Sequence, residues 1–384
     1  MSAQYLRYGA RSSRSATTMM DRLSVCAEQA LLGAVLSDPE RQQGVLDWVE
    51  AGDMCRPWHA QVLEAMQRLR HRGTSPGPLE VYAELQHDPD LPAGVARDAV
   101  PLANLMGAAP RAGHAPHYAV MVAERGIRQR LKLAGSRMAQ SAESGDLEMA
   151  LRQVCHVRHE LRALRARWSA FPGPLRHEVP ALARARQEDA EIARRVVALP
   201  EDIGWLLGDS RPRGQAAEAA GRRALADLAA ASSQVARVRA WLQPEHFARS
   251  EHGALYEVMR DLDAAGVPAD PITITWEAAR RGIQADRADL SAGTAGFAVA
   301  SAREVRRHGL LAQVSCAGTS LQADASDVTC HPGRLLQETD RRLRVIESQA
   351  QPEPAIERSA AIVLVRGGAQ AGQPCRQPDR EAVP

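Results

Sequence analysis

The stretch RPWHAQVLEAMQRL at residues 56–69 returns, altered, as RSEHGALYEVMRDL at 249–262. At a constant offset of 193 residues, Trp48 falls on Trp241, Arg56 on Arg249, His59 on His252 and Glu64 on Glu257. Met66 then falls on Met259, Leu69 on Leu262, Gly73 on Gly266 and Pro78 on Pro271. These are 8 identities in 31 ungapped positions, where ordinary residue usage gives about two by chance. Apolar character matches as well, Val62 with Leu255 and Val81 with Ile274. Two unrelated amphipathic helices would share the Leu and Met spacing, but not the Trp, the His, the Gly and the Pro. The period far exceeds the ~20–50 residues of solenoid units, so the repeat is read as a duplicated domain.

A chain of 384 residues has room for two or three domains of ~100–200 residues each. It can bury real cores without covalent staples. The net charge of +2 spreads no global basic field that would announce nucleic acid. Lys132 is the only lysine, so the basic side chains are almost all Arg. With three Phe, the cores must be built from Leu, Val, Ala and Met, and an Ala- and Arg-rich chain favours helices. The six cysteines form no CxxC pair, so reduced thiols and a cytoplasmic location are expected. The first twenty residues lack the apolar stretch of a signal peptide, and no run approaches ~18 apolar residues, so no membrane partner is expected.

Residues 1–23 read as a flexible arm rich in Ser, Arg and Thr. The first domain is expected over 24–166. Leu31, Leu32, Val35 and Leu36 give it an opening amphipathic helix, and SDPE at 37–40 stops it. Pro57 suits the first position of the next helix, whose face is Val62, Leu63, Met66 and Leu69 and whose end is Gly73. Short helices follow at 79–86 and 98–106. Two long helical stretches, 117–142 and 146–166, are separated only by ESGD and predict an antiparallel hairpin. Residues 167–216 read as a linker, Pro-rich at 170–182, with an isolated amphipathic helix over 183–199 and a loop at 208–215. The second, divergent domain is expected over 217–349, with a hairpin of 299–323 and 333–349. That hairpin reads as the poorer one, interrupted by Gly309, Gly318 and CHPG. The tail, 350–384, reads as disordered, with AAIVLV its one apolar run.

Several chemical constellations compete with plain structure. GTSPG at 73–77 fits G-x-S-x-G formally, but a nucleophile elbow needs a strand before it, and here a helix precedes. Cys155, His156 and His159 lie within five residues, yet no third and fourth metal ligand is in view. His59 and His252 recur at helix starts and read as structural residues packed on the Trp48 and Trp241 sides, no converging acid or base being legible. Arg152, Arg158, Arg162, Arg165 and Arg167 form a basic stripe ending at Trp168. Arg beside an aromatic suits phosphate contact and base stacking, so Arg158, Arg162, Arg165 and Trp168 are the candidate nucleic-acid contacts. A solvated helix face interleaved with Glu148 and Glu160 is the competing reading.

AEQALLGAVLSDP at 27–39, RPWHAQVLEAMQRL at 56–69 and HYAVMVAERGIRQRLKLAGSRM at 117–138 occur in an informative order. Together they resemble the amino-terminal domain of the DnaB-type replicative helicases over about 27–165. The second copy resembles it more weakly, through WLQPEHFARSEHGALYEVM at 241–259, with GRRALADLAAASS where the opening helix belongs. The resemblance implies an all-α fold of two tandem helical-bundle domains, each with a C-terminal helical hairpin. In the family, hairpins pair into dimers that build a ring collar, and its surface recruits primase and loading factors. The family's motor needs G-x-x-x-x-G-K-[ST] for ATP and Mg²⁺, and Lys132 sits in RLKLAG, mid-helix, with no Gly-rich loop before it. No catalytic, cofactor or metal residue is therefore assigned.

The resemblance implies a non-catalytic scaffold of the replication machinery, the primosome, docking to a replicative helicase, a primase or a loader. A nucleic-acid-binding accessory protein and a degenerate helicase paralogue are the alternatives. The candidate partner surface is the first hairpin, through Val120, Ile127 and Leu131 on one arm and Leu151, Val154 and Leu161 on the other. That apolar surface exceeds what two helices hide from each other. It could pair within the chain or self-associate, and outward docking by the first hairpin is the favoured expectation.

Overall fold

The computed structural model describes residues 21–88, 99–175, 214–285 and 287–351. The arm, the 183–199 helix, most of the 208–215 loop and the tail with AAIVLV lie outside the described residues, their edges apart. Among the described residues there is no strand.

The first copy opens with helix α1, residues 21–37, three residues ahead of the expected start. Helix α2 (Pro57–His71) carries Pro57 in its first turn and buries Val62, Leu63, Met66 and Leu69 on one face. It ends at Gly73, whose φ of 75° is the left-handed conformation that closes a helix without steric cost. Helices α3 (Pro78–Gln86) and α4 (Val100–Ala108) complete the bundle. The hairpin consists of α5 (Ala115–Glu143) and α6 (Leu147–Ala170). Its turn is built by Gly145 at φ 74° and by Asp146, whose side chain accepts a hydrogen bond from Met149 N.

The second copy repeats this order. Helix α7 (Gln215–Ala230) stands for α1, α8 (Ser250–Ala264) for α2 and α9 (Pro271–Arg280) for α3. Helices α8 and α9 begin 193 residues after α2 and α3, and Gly266 takes the role of Gly73. The offset then falls to 183, and helix α10 (Ala298–Ser326) matches α5 in its 29 residues. Helix α11 (Pro332–Gln349) closes the second hairpin. Gly309 and Gly318 do not break α10, which runs through both. They are small because other backbone lies against them.

The described residues of both copies fall within one compact unit. One hydrophobic core joins the first bundle and both hairpins, so that Leu31, Met66, Ile127, Val154, Val314 and Leu343 belong to the same cluster. A second core, around Phe247, Tyr256 and Met259, fills the second bundle. The hairpins therefore pack on each other, and the outward-facing first hairpin is corrected. Ile127, Leu131, Val154 and Leu161 are at most 2% exposed, Val120 is buried and Leu151 half-buried. The apolar surplus of the first hairpin is covered by the second, at roughly 1.5–3 kcal/mol for each large aliphatic side chain buried.

Candidate functional site

The two long hairpin helices cross at Gly135 of α5 and Gly318 of α10. A Cβ at Gly135 would stand 2.5 Å from the Gly318 carbonyl oxygen, and one at Gly318 would stand 2.6 Å from that of Gly135. These glycines are equivalent positions of the two copies. Equivalent residues meeting each other are the mark of a two-fold, isologous contact, here made inside one chain.

Polar ties run in both directions across this crossing, from positions that are not equivalent. Arg128 of α5 is buried and donates to the carbonyls of Asp327 (2.8 Å), Val328 and Cys330 in the second hairpin's turn. Arg307 of α10 donates to the Gly145 carbonyl (2.7 Å) in the first hairpin's turn. Each long helix thus holds the other hairpin's turn by an Arg. An Arg128→Ala variant should cost about 1.5–3 kcal/mol in chemical denaturation, the range for hydrogen bonds to a charged group.

This packing divides the basic stripe. Arg158 faces Asp340 (3.4 Å) and Glu347 on α11 and is only 14% exposed along its side chain. Trp168 is buried, with Phe171 5.6 Å and His331 5.7 Å away between ring centres. Arg167 turns inward to Asp53 and the Trp48 carbonyl. Arg162 and Arg165 are exposed. The expected set of Arg158, Arg162, Arg165 and Trp168 does not form one surface, because half of it serves the hairpin packing.

His59 has a partner that the sequence concealed. Glu28, on α1, is 1% exposed, and its carboxylate takes the His59 Nδ1 at 2.6 Å. It also accepts from the backbone nitrogens of Cys55 (2.5 Å) and Arg56 (3.4 Å), which lead into α2. Burial raises the pKa of the Glu28 carboxyl. The hydrogen bonds from His59 and Cys55 more than reverse that, so it lies below the usual carboxylate range. Burial and then Glu28 push the Cys55 thiol up to about 12, which makes it no nucleophile at neutral pH. The signal was in AEQALLGAVLSDP, but the partner stands 31 residues away in sequence. A second polar cluster centres on Asp53, fully buried and held by the Arg167 guanidinium and the Glu50 backbone nitrogen (2.9 Å).

In the second copy both acids are gone. His246 stands in the place of Asp53, and burial, with the nearby Arg306 charge, pushes its pKa down to about 3. Gly221 stands in the place of Glu28. The motif residues Cys155, His156 and His159 lie along α6, His156 facing Glu160 at 3.1 Å. Among the described residues no three His, Cys, Asp or Glu side chains converge as a metal site, and no helix is long and apolar enough to cross a membrane. The most exposed apolar pair on one turn of helix is Ile272 and Trp276 of α9, 62% and 72% exposed.

The fold and the site thus define a duplicated helical module that contains its own hairpin pair, with no nucleotide-binding motif in its sequence. The chain belongs to the DnaB family through its amino-terminal domain. The family profile described as "DnaB-like helicase N terminal domain" matches residues 21–124 and again 212–306, more than half of the chain. The replicative DNA helicase DnaB of Mycobacterium leprae (strain TN) is 34% identical over 124 residues, 32% of this chain and 20% of that protein. The replicative DNA helicase DnaB of Geobacillus stearothermophilus is 31% identical over 128 residues, 33% of this chain and 27% of that protein. The match thus spans about a quarter or less of these relatives' own lengths. The crystal structure of the N-terminal domain of DnaB helicase from Mycobacterium tuberculosis is similar at 32% identity, over 34% of this chain and 94% of that one, with a TM-score of 0.32.

Proposed function

We propose that this protein is a non-catalytic interaction module of the DNA replication machinery, one that carries in a single molecule the hairpin pair its family makes between two subunits. The observation that supports this reading is the crossing of Gly135 and Gly318, equivalent residues of the two copies on the long helices that extend past the segments the family profile matches, 21–124 and 212–306. Such a chain has satisfied its hairpin faces internally. It is then free to offer its outer surfaces to a replicative helicase, a primase or a loader without being drawn into a ring by its own hairpins. The exposed Ile272 and Trp276 are the residues we assign to that contact, since Trp is the side chain that most often carries protein–protein affinity.

Surface-immobilised full-length protein should capture purified replicative helicase, primase or helicase loader of its own cell. Trp276→Ala should weaken that capture at least tenfold while the far-ultraviolet circular dichroism stays unchanged. Failure to capture any of the three, or unaltered capture by the variant, removes the reading. The same preparation should show no nucleotide binding by calorimetry and no DNA-stimulated ATP hydrolysis. Turnover that survives repurification would restore an enzymatic reading.

A further inference from the structure

The two copies differ at the position of Glu28, and the difference changes the chemistry around His252. In the first copy the Glu28 carboxylate serves three donors: His59 Nδ1 and the backbone nitrogens of Cys55 and Arg56. The equivalent atoms of the second copy are His252 Nδ1 and the backbone nitrogens of Ala248 and Arg249. The residue equivalent to Glu28 is Gly221, which brings no side chain to them. His252 is 9% exposed, and its Nδ1 is buried without a hydrogen-bond partner. Ala248 N and Arg249 N have no acceptor among the described residues either. A buried polar atom left without a partner costs about 1–3 kcal/mol, and of these three groups the His252 Nδ1 is the one buried.

His252 is part of the wall of an open pocket of about 930 Å³ between α7, α8 and α9. Arg222, Arg249 and Arg287 also line it, against the acids Glu251 and Asp289. Arg249 has Glu251 at 3.5 Å, whereas among the described residues no carboxylate pairs with Arg222. Burial and then the Arg249 and Arg222 charges lower the His252 pKa, with Glu251 and Glu218 opposing them. Among the described lining residues three Arg thus face two acids, next to the His whose counterpart in the first copy meets a carboxylate.

We propose that this pocket binds a carboxylate supplied from outside the second copy, which takes the place of the missing Glu28 equivalent on His252 and the α8 amino end. The imidazole now leans over Gly221, where a Cβ would stand 2.9 Å from its Nδ1. The obstruction is a rotatable ring rather than backbone, so the ring can swing back to the position His59 takes beside a carboxylate. Two sources share this chemistry, a free small carboxylic acid and the acidic side chain of a docking protein segment. The inference does not depend on the replication reading, and it stands or falls on the pocket alone.

The full-length protein, with its histidine rings labelled with carbon-13, is titrated with sodium formate, then acetate, against sodium chloride at matched ionic strength. His252→Gln assigns the resonance. The expected result is a saturable shift of the His252 ring signals by the carboxylates and not by chloride, with a rise in its pKa of roughly one unit or more, as an opposite charge in contact produces. Gly221→Glu should reproduce the bound-state signals without ligand and abolish the response. Arg222→Gln, at an exposed position, should keep the fold and weaken binding several-fold. N-acetylglutamate amide compared with its glutamine counterpart separates the sources. Tighter binding than acetate points to a protein segment, and parity with acetate points to a small acid. An equal shift with chloride, an undiminished shift in both Gly221→Glu and Arg222→Gln, or no shift of His252 at all overturns the proposal.

Discussion

Purified protein should scatter light as a 41.6-kDa monomer across a wide concentration series, and valine at both Gly135 and Gly318 should destroy that state. Each new Cβ would meet a carbonyl of the opposite helix at 2.5–2.6 Å, and neither helix can yield without losing its neighbours. Overpacking a tight contact costs about 1–3 kcal/mol per site and occasionally more. Two at one crossing consume about 2–6 kcal/mol of a total that is only about 5–15 for a natural domain. The expected readouts are a large drop in the denaturation midpoint and the appearance of dimers or aggregates, as the uncovered hairpins seek other partners. Leu131→Asp with Leu161→Asp should act in the same direction, by unfolding the hairpin pair. A surface-docking hairpin would instead lose only association, with its helical signal intact. A stable monomeric Gly135→Val/Gly318→Val variant would rule out the crossing.

Glu28→Ala should be the most damaging single truncation in the first bundle, at roughly 3–5 kcal/mol, because three donors lose their acceptor in an enclosed site. Its pH signature is distinctive. The folded-state pKa of Glu28 is depressed below its ordinary 4.5, so the stabilisation is fully present above about 4.5. It is lost as pH falls through the lower folded value, where the carboxylate must take up a proton. Urea unfolding of the natural protein and of Glu28→Gln at a series of pH values should show a gap at neutral pH that closes in acid. A gap that widens in acid would show that the carboxylate is not the group at work.

The helices were legible because their signals are local. Pro57, Gly73 and the Val62, Leu63, Met66, Leu69 face lie within one helix length, and so does the ESGD turn of the first hairpin. Gly309 and Gly318 misled for the same reason. A helical glycine looks like a weakness until the chain lying against it is known, and the backbones at Gly309 and Gly318 are those of His246 and Gly135. Glu28 escaped notice as the partner of His59, although both stand in the motifs that reveal the family. A hydrogen bond between separate helices leaves no periodicity to read. The stripe from Arg158 to Trp168 was legible as a stripe, but its partners Asp340, Glu347 and His331 lie in the other copy.

The sequence by itself determined the all-α class, the duplication and the family, because repeated identities and amphipathic spacing are properties of the chain before it folds. It also carried the replacement of Glu28 by Gly221, without saying what that replacement would expose. Only the tertiary structure decided that the two hairpins bury each other, and that the first hairpin's apolar arms are core rather than docking surface. The physical reason is that an apolar helix face specifies burial but not its partner. Which surface covers it is set by shape, here by two glycines that let two backbones approach to contact distance.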